Sequence, residues 1–277
     1  MTISLNDSFD PTSRTAITAW VKERWDLITE RAGTLPATLP KGSLRASGSS
    51  VKIDKGAALG STAVVYGAPH SSAFASPRGG TECVNSTPEC RATCLGTEAG
   101  RMVMSPVANA RGWKTTLRRG APAAWVALLA LDVKANERTA QKAGLPAYFR
   151  ADGSTDGGDG EVLSRSGMFP GTTFYDYTKD VDRAFRSLGT GYRVTLSFTG
   201  RNRTECLEYL RRGGNVAVVT DYAPGDVKAD RWEGFPTVDG DEHDIRPIDP
   251  PGHAVLLSWK GPRAGLDVAG PFVERLR

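Results

Sequence analysis

Short apolar runs alternate with helical segments from residue 62 onward, and this alternation most constrains the fold of the chain. Runs such as AVVY, VAVV and AVLL are typical of strands in a parallel sheet that is covered on both faces. A strand, a helical crossover and a further strand form a right-handed parallel unit. The sequence therefore predicts an α/β fold in which βα units build either an open doubly wound sheet or an incomplete barrel. The predicted strands are 62–67, 146–151, 172–178, 192–198, 215–220 and 253–259. A helix is predicted over 122–143, where Gly144-Leu145-Pro146 ends it.

The first 60 residues have a different pattern. Asp10-Pro11-Thr12-Ser13 predicts the start of a helix over 12–32. The Gly-, Pro- and Ser-rich stretch over 33–60 indicates an extended wrap or linker. We therefore divide the chain into an N-terminal helix and linker, 1–60, and a βα-repeat domain of catalytic type, 61–277, which includes a cysteine loop at 70–95.

The composition is that of a globular protein, since 39% of the residues are hydrophobic and 24% are charged. No apolar run approaches the roughly 18 residues that a membrane span needs. The first residues, MTISLNDSFD, lack the basic start of a signal peptide. We therefore expect a cytoplasmic protein without a membrane partner. The net charge of +4 permits a polyanionic partner without requiring one.

Three cysteines lie close together, as Cys83-x6-Cys90-x3-Cys94. In a reducing compartment this grouping favours a metal over a disulfide. Three thiolates without a near fourth ligand suit a [4Fe–4S] cluster with one open iron, or a Zn²⁺ ion that a distant histidine completes. The histidines of the chain are His70, His243 and His253, none at a standard zinc spacing. The alternative is a loop with three free, partly buried cysteines, and Cys206 is predicted to be plain core.

Polar residues and glycines gather after the predicted strands, where a parallel sheet places its active site. The residues concerned are Arg150, Asp152, Asp156, Lys179, Ser197 and Asp221. Asp152 and Asp156 suit proton transfer, hydroxyl binding or metal binding, but D-G-S-T-D sequences also form turns that satisfy their own backbone. Lys179 suits a phosphate or a stacked base, or is an ordinary lysine at a strand end. We expect these side chains to line one cavity beside the cysteine loop.

Acidic residues give two further expectations. The segment 238–244, VDGDEHD, has only a superficial likeness to a calcium loop and indicates a solvated turn. Alanine at Asp152 or Asp156 is expected to abolish activity while lowering stability no more than a surface change does, by about 0.5 kcal/mol.

Several segments in chain order resemble one known family. They are the cysteine loop, GLPAYFRADGSTD (144–156), FPGTTFYDYTK (169–179), YRVTLSFTGRN (192–202), GGNVAVVTD (213–221) and WEGFPTVDGDEHDIRPIDPPG (232–252). The set is similar to phage and mobile-element proteins grouped as "gene product eighty-eight" proteins, over roughly residues 60–260. The FYDYTK and VDGD-x-x-D-I-R segments are the most specific parts of this resemblance.

The layout of these segments also resembles the radical S-adenosylmethionine enzymes, in which a three-cysteine loop follows the first of six βα units. That resemblance implies an incomplete (βα)6 barrel with a [4Fe–4S] cluster and S-adenosylmethionine at its open iron. The residues it implies are Cys83, Cys90 and Cys94 for the cluster, Arg150, Ser197 and Lys179 for cofactor binding, and Asp152, Asp156 and Asp221 for catalysis. The x6/x3 spacing and the lack of a Gly-Gly-Glu sequence after the second strand depart from those enzymes.

Three functions stay open at this point. The first is a phage-encoded iron–sulfur enzyme that modifies a nucleotide or nucleic acid in the host cytoplasm. The second is a Zn²⁺-dependent base-exchange enzyme similar to tRNA- or DNA-guanine transglycosylases, with Asp152, Asp156 or Asp221 as nucleophile or base on an extruded nucleotide. The third is a non-catalytic nucleic-acid-binding module whose metal is structural. The oligomeric state is not predicted.

Overall fold

The structure is a computed structural model that describes residues 8–11, 13–39, 43–44, 51–69, 81–95, 102, 104–261 and 265–277. Its described helices are α1 (Arg14–Glu23), α2 (Trp25–Ala32), α3 (Val51–Lys55), α4 (Pro88–Ala92), α5 (Ser105–Gly120), α6 (Pro122–Ala143), α7 (Asp159–Arg165), α8 (Val181–Ser187), α9 (Arg203–Arg211) and α10 (Gly265–Ala269). Its described strands are β1 (Ser61–Val64), β2 (Ala147–Arg150), β3 (Thr172–Thr178), β4 (Arg193–Ser197), β5 (Asn215–Thr220), β6 (Arg231–Trp232), β7 (Phe235–Asp239), β8 (Ala254–Ser258) and β9 (Val273–Glu274).

The predicted strands correspond to β1, β2, β3, β4, β5 and β8, with ends that differ by at most three residues. They are hydrogen-bonded in that order and every neighbouring pair is parallel. In the β3–β4 pair, for example, Tyr175 of β3 lies opposite Arg193 of β4 and Thr178 lies opposite Leu196. The predicted parallel α/β fold is therefore confirmed.

Three short strands were not predicted. The hairpin of β6 and β7 extends the sheet beyond β8, so that the order is β1-β2-β3-β4-β5-β8-β7-β6. The strand β9 pairs with Val219 and Thr220, whereas β4 pairs with 215–217 of the same strand β5. The C-terminal segment therefore lies beside the carboxyl end of β5. The result is a nine-stranded, mostly parallel sheet.

The two faces of the sheet have different partners. Alternation along the strands places Phe149, Phe174 and Leu196 on one face, where they join the main core that includes apolar residues of α6. The helix α6 has the predicted bounds, because Pro122 opens it and Gly144 closes it in a left-handed conformation. The opposite face carries Tyr148, Tyr175 and Tyr177 and is called here the tyrosine face.

The N-terminal region packs on this domain. The helix predicted over 12–32 is divided into α1 and α2 at Arg24, which has φ −102° and ψ 8°. These helices contact α6 and α5, and Ile17, Val21 and Ile28 are fully buried. The stretch predicted as a linker contains α3, and the backbone N–H of Leu44 donates to Asp132 at 2.8 Å. Among the described helices, none is long and apolar enough to cross a membrane.

Candidate functional site

The cysteines follow β1 on a loop that leads into α4. Thr87 caps this helix by accepting a hydrogen bond from the backbone N–H of Cys90 at 3.2 Å, and Pro88 occupies its first turn. Cys90 thus lies in α4, and Cys94 lies just after its end. Cys83, Cys90 and Cys94 are half-buried, whereas Cys206 is fully buried in α9, as predicted.

Electrostatics place the three thiols in one region. Burial is the main cause that raises the pKa of Cys83 to about 12; the Lys179 charge opposes this rise, while Cys94 and Cys90 add to it. Burial lowers the pKa of Arg111 on α5, and the charge of Cys94 raises it by a smaller amount. Within the described part of the chain, no three His, Cys, Asp or Glu side chains are grouped as a metal site. Ligation of one metal by the three cysteines therefore stays a prediction.

Glu82 anchors the cysteine loop. Its side chain is 6% exposed and accepts hydrogen bonds from Arg118 at 2.5 Å and from Arg119, both on α5. Its backbone carbonyl accepts from the N–H of Asp156 at 2.9 Å. The Sγ atom of the next residue, Cys83, lies 3.8 Å from the carbonyl oxygen of Ser154. The cysteine loop is therefore fixed to both α5 and the loop that follows β2.

Asp152 organises that following loop. Its carboxylate is 2% exposed and accepts from the Thr155 hydroxyl at 2.8 Å and from the backbone N–H groups of Gly157 and Asp159 at 3.1 and 3.0 Å. This is the turn-forming alternative that the D-G-S-T-D sequence left open. All of these bonds are local, so Asp152 shapes the loop that lies under Cys83.

Asp156 joins the same loop to the carboxyl end of β3. It accepts from the Thr178 hydroxyl at 2.7 Å, from the backbone N–H of Lys179 at 3.0 Å and from the Arg183 guanidinium at 2.5 Å. The Arg183 pair is buried, with side-chain exposures of 5% and 10%. Asp156 and its negative charge are therefore committed to an ion pair beside the cysteine loop.

Lys179 differs from the other cations of this region. Among the described residues its ammonium group has no ion pair, and its only aromatic contact is with the Phe272 ring, 6.0 Å away. Its charge lowers the pKa of Cys83, which places it near that thiol. The structure thus brings Asp152, Asp156 and Lys179 together beside Cys83, at the carboxyl ends of β2 and β3.

Ser197 and Asp221 are placed elsewhere along this edge. The backbone carbonyl of Ser197 accepts from the Asn202 amide at 3.1 Å. The Asp221 carboxylate accepts from the backbone N–H groups of Leu276 and Arg277 at 2.9 and 3.2 Å. Asp221 therefore holds the C-terminal segment that lies beside β5, and the catalytic role predicted for it stays a prediction.

Arg150 points to the tyrosine face. Its guanidinium donates to Asp244 at 3.2 Å and to the carbonyl of Gly153 at 3.1 Å, and it lies 4.5 Å from the centre of the Tyr177 ring. The Tyr175 hydroxyl also donates to Asp244, at 3.4 Å. The charge of Asp244 accordingly supports the charged form of Arg150, whose pKa is raised.

The interpretation of 238–244 as a solvated turn is wrong at both ends, because Val238 and Asp239 belong to β7 and the C-terminal end is buried. Asp244 and Ile245 are 8% and 1% exposed, and Ile245 packs with Tyr148 and Tyr175. The cause is β7, because its parallel pairing with β8 directs the following chain across the tyrosine face. Period-two tyrosines in FYDYT were the sequence signal for this face.

Asp176 was also missed by sequence reasoning. It is fully buried between the Tyr192 hydroxyl, which donates at 2.9 Å, and the backbone N–H of Asp152, which donates at 3.0 Å. Burial, and secondarily the charge of Asp152, hold the pKa of Asp176 well above its ordinary value. Asp176 therefore helps to fix the backbone of Asp152.

Comparison with known proteins finds a single kind of relationship. The model of the family described as Gene product 88 matches residues 41–267, which is most of the chain. No curated protein matches. No solved structure matches. The match includes the cysteine loop, the loop after β2 and the segment that crosses the tyrosine face, and the chain belongs to the Gene product 88 family.

Proposed function

We propose that this protein is an iron–sulfur enzyme of the radical S-adenosylmethionine type that acts on a nucleotide or nucleic acid. The observation that carries the proposal is that three half-buried thiols and Lys179 lie in one region at the carboxyl edge of the parallel sheet. The pKa of Cys83 responds to Cys90, Cys94 and Lys179, so that these groups share one region. Parallel α/β folds place their chemistry at this edge.

The strand order supports the fold that such an enzyme needs. Six parallel strands follow one another in chain order, from β1 to β5 and then β8. With right-handed crossovers, this order places every connecting helix on the same face of the sheet. We infer that the sheet curves into an incomplete (βα)6 barrel whose inner side is the tyrosine face.

The chemistry of the donor set fits an iron–sulfur cluster. Cys83, Cys90 and Cys94 would hold three irons, and the fourth would take S-adenosylmethionine. Their arrangement among the described residues is not a preformed metal site, so the thiols would draw together on loading. When bound, such a cluster supplies an electron to S-adenosylmethionine and thereby starts radical chemistry.

The surrounding residues have their own tasks in this proposal. Glu82 fixes the cysteine loop to α5, and Asp152 fixes the loop beneath it. Lys179 supplies positive charge beside Cys83 and Arg111 supplies it beside Cys94, and the Lys179 charge opposes the rise that burial causes in the pKa of Cys83. Lys179 has no competing ion pair among the described residues, so it is available to an anionic ligand such as a phosphate.

Anaerobic purification with metal analysis tests the proposal. A brown, oxygen-sensitive protein with about four irons per chain supports it. Cys83→Ala, Cys90→Ala and Cys94→Ala should each lower the bound iron. Cys206→Ala, at the fully buried cysteine of α9, is the control and should not.

Other results lead elsewhere. One zinc per chain without iron would contradict the proposal and favour the Zn²⁺-dependent base-exchange enzyme or the structural metal site, which an assay for base exchange on DNA and tRNA separates. Equal metal content in all four variants, or no metal in the wild type, would show that the cysteines are not ligands.

A further inference from the structure

The tyrosine face carries two arginines that the proposed function does not use. Arg150 ends β2, and Arg246 begins the short 3-10 helix Arg246–Ile248 that crosses this face. The Arg246 side chain is 1% exposed and that of Arg150 is 12% exposed. Tyr177 lies near both, because its ring is 4.5 Å from Arg150 and the Arg246 charge lowers its pKa against the larger effect of burial.

Several donors of these arginines have no partner. Among the described residues, the Nε atom of Arg150 and the Nε and Nη1 atoms of Arg246 are buried without a hydrogen bond. Arg246 Nη1 lies 3.2 Å from Asp249 Oδ2, but this ion pair lacks hydrogen-bond geometry, and the same carboxylate oxygen is also without a hydrogen-bond partner. Buried polar groups in native proteins are satisfied by the chain, by ordered water or by a ligand.

Each of the two arginines has one carboxylate beside it, Asp244 for Arg150 and Asp249 for Arg246. Asp244 is shared, since it accepts from both Arg150 and the Tyr175 hydroxyl. Burial raises the pKa of Tyr177 to about 12, so its phenol is neutral at physiological pH. Burial also raises the pKa of Asp249 to about 6, so this carboxylate takes up a proton more readily than an ordinary aspartate.

We propose that Arg150 and Arg246 bind the phosphate group of a small ligand on the tyrosine face. Guanidinium forks match phosphate oxygens in geometry, and a doubly charged anion can accept from several guanidinium donors at once. Tyr177 is positioned as the wall of this phosphate site. The site does not depend on a metal at the cysteines.

The phosphate site adjoins the cysteine loop. Arg150 donates to the carbonyl of Gly153 at 3.1 Å, and the next carbonyl, of Ser154, is the one that Cys83 contacts. The backbone of 153–154 therefore contacts both Arg150 of the phosphate site and Cys83 of the cysteine loop. A mononucleotide is a ligand of suitable chemistry.

Calorimetric titration of the full chain with inorganic phosphate, at constant ionic strength in chloride, tests the inference. We expect saturable binding by the wild type and an affinity at least tenfold lower in Arg246→Lys and Arg150→Lys, which keep the charge and lose the fork. Arg212→Lys, at the exposed arginine that follows α9 and pairs with Glu208, is the control and should bind like the wild type. Removal of metal should not change the affinity, and this separates the inference from the proposed function.

Two results would overturn the inference. One is the absence of saturable phosphate binding by the wild type, which would mean that water satisfies these donors. The other is binding that survives Arg246→Lys and is lost in Lys179→Met, which would place the phosphate at the cysteine loop. Arginine Nε–H resonances of the unmodified chain give a readout that needs no variant: phosphate should shift the two that exchange most slowly with solvent, and unchanged resonances would contradict the site.

Discussion

Substitution of Asp152 tests what this carboxylate does. In Asp152→Ala the backbone N–H groups of Gly157 and Asp159 and the hydroxyl of Thr155 lose their acceptor. A hydrogen bond to a charged group contributes about 1.5–3 kcal/mol. Water reaches exposed Gly157 and half-buried Thr155, and this offsets part of the loss.

Relief of charge repulsion offsets a further part. The Asp152 charge contributes to the raised pKa of both Asp176 and Asp159, so its removal favours their charged forms. We therefore expect a net loss of about 3 kcal/mol, shared among the three donors that lose their charged acceptor. This replaces the expectation, made from the sequence, that the change costs no more than a surface substitution.

The assay is thermal unfolding followed by circular dichroism. A loss of about 3 kcal/mol corresponds to a fall in Tm of roughly 6–12 °C for a chain of this size. Asp152→Asn keeps one acceptor oxygen and removes the repulsion, so it should lose about 1 kcal/mol. Asp230→Ala, at an exposed aspartate, is the control. If Asp152→Ala melts within a degree of Asp230→Ala, the assigned role is wrong.

Three other changes give further tests. Glu82→Gln removes the charge that pairs with Arg118 and Arg119 and loosens the cysteine loop, so Cys83 should react faster with a thiol reagent. Unchanged rates would show that Glu82 does not fix the loop. Gly160→Ala would place a Cβ atom 2.1 Å from Asp176 Oδ2; it should destabilise by about 2 kcal/mol although alanine is the better helix former, and equal or higher stability would contradict this packing. Burial raises the pKa of Asp249 to about 6, so the folded chain keeps a proton that the unfolded chain releases above about pH 4. Stability from this group is thus lost as the pH rises from about 4 to 6; Asp249→Asn should flatten the Tm profile in that window, and an unchanged slope would refute the assignment.

The sequence by itself determined the framework of the fold. Apolar runs with Gly and Pro between them located six parallel strands, and Pro122 and Gly144 located the ends of α6. These signals are local, because each depends on side chains within one element or on its first and last residues. The strands β6 and β9 have two residues each, too few for such a pattern, and β7, with the sequence FPTVD, contains no continuous apolar run.

The sequence also located the residues of the candidate site more securely than it assigned their roles. Asp152 and Asp156 were named as a pair, but one closes a local turn and the other reaches Thr178 and Arg183, 22 and 27 residues away. The division of the chain at residue 60 and the metal at the cysteines stay predictions.

Only the tertiary structure decided which polar groups are buried together. An aspartate has the same sequence signature in a solvated turn as on a covered sheet face, and Asp244 is buried because the chain after β7 crosses the tyrosine face. The Asp221 carboxylate accepts hydrogen bonds from the C-terminal backbone for a similar reason, since β9 pairs with β5 from more than 50 residues away. The energy of a charge depends on its desolvation and on its partners, and both are set by contacts between distant parts of the chain.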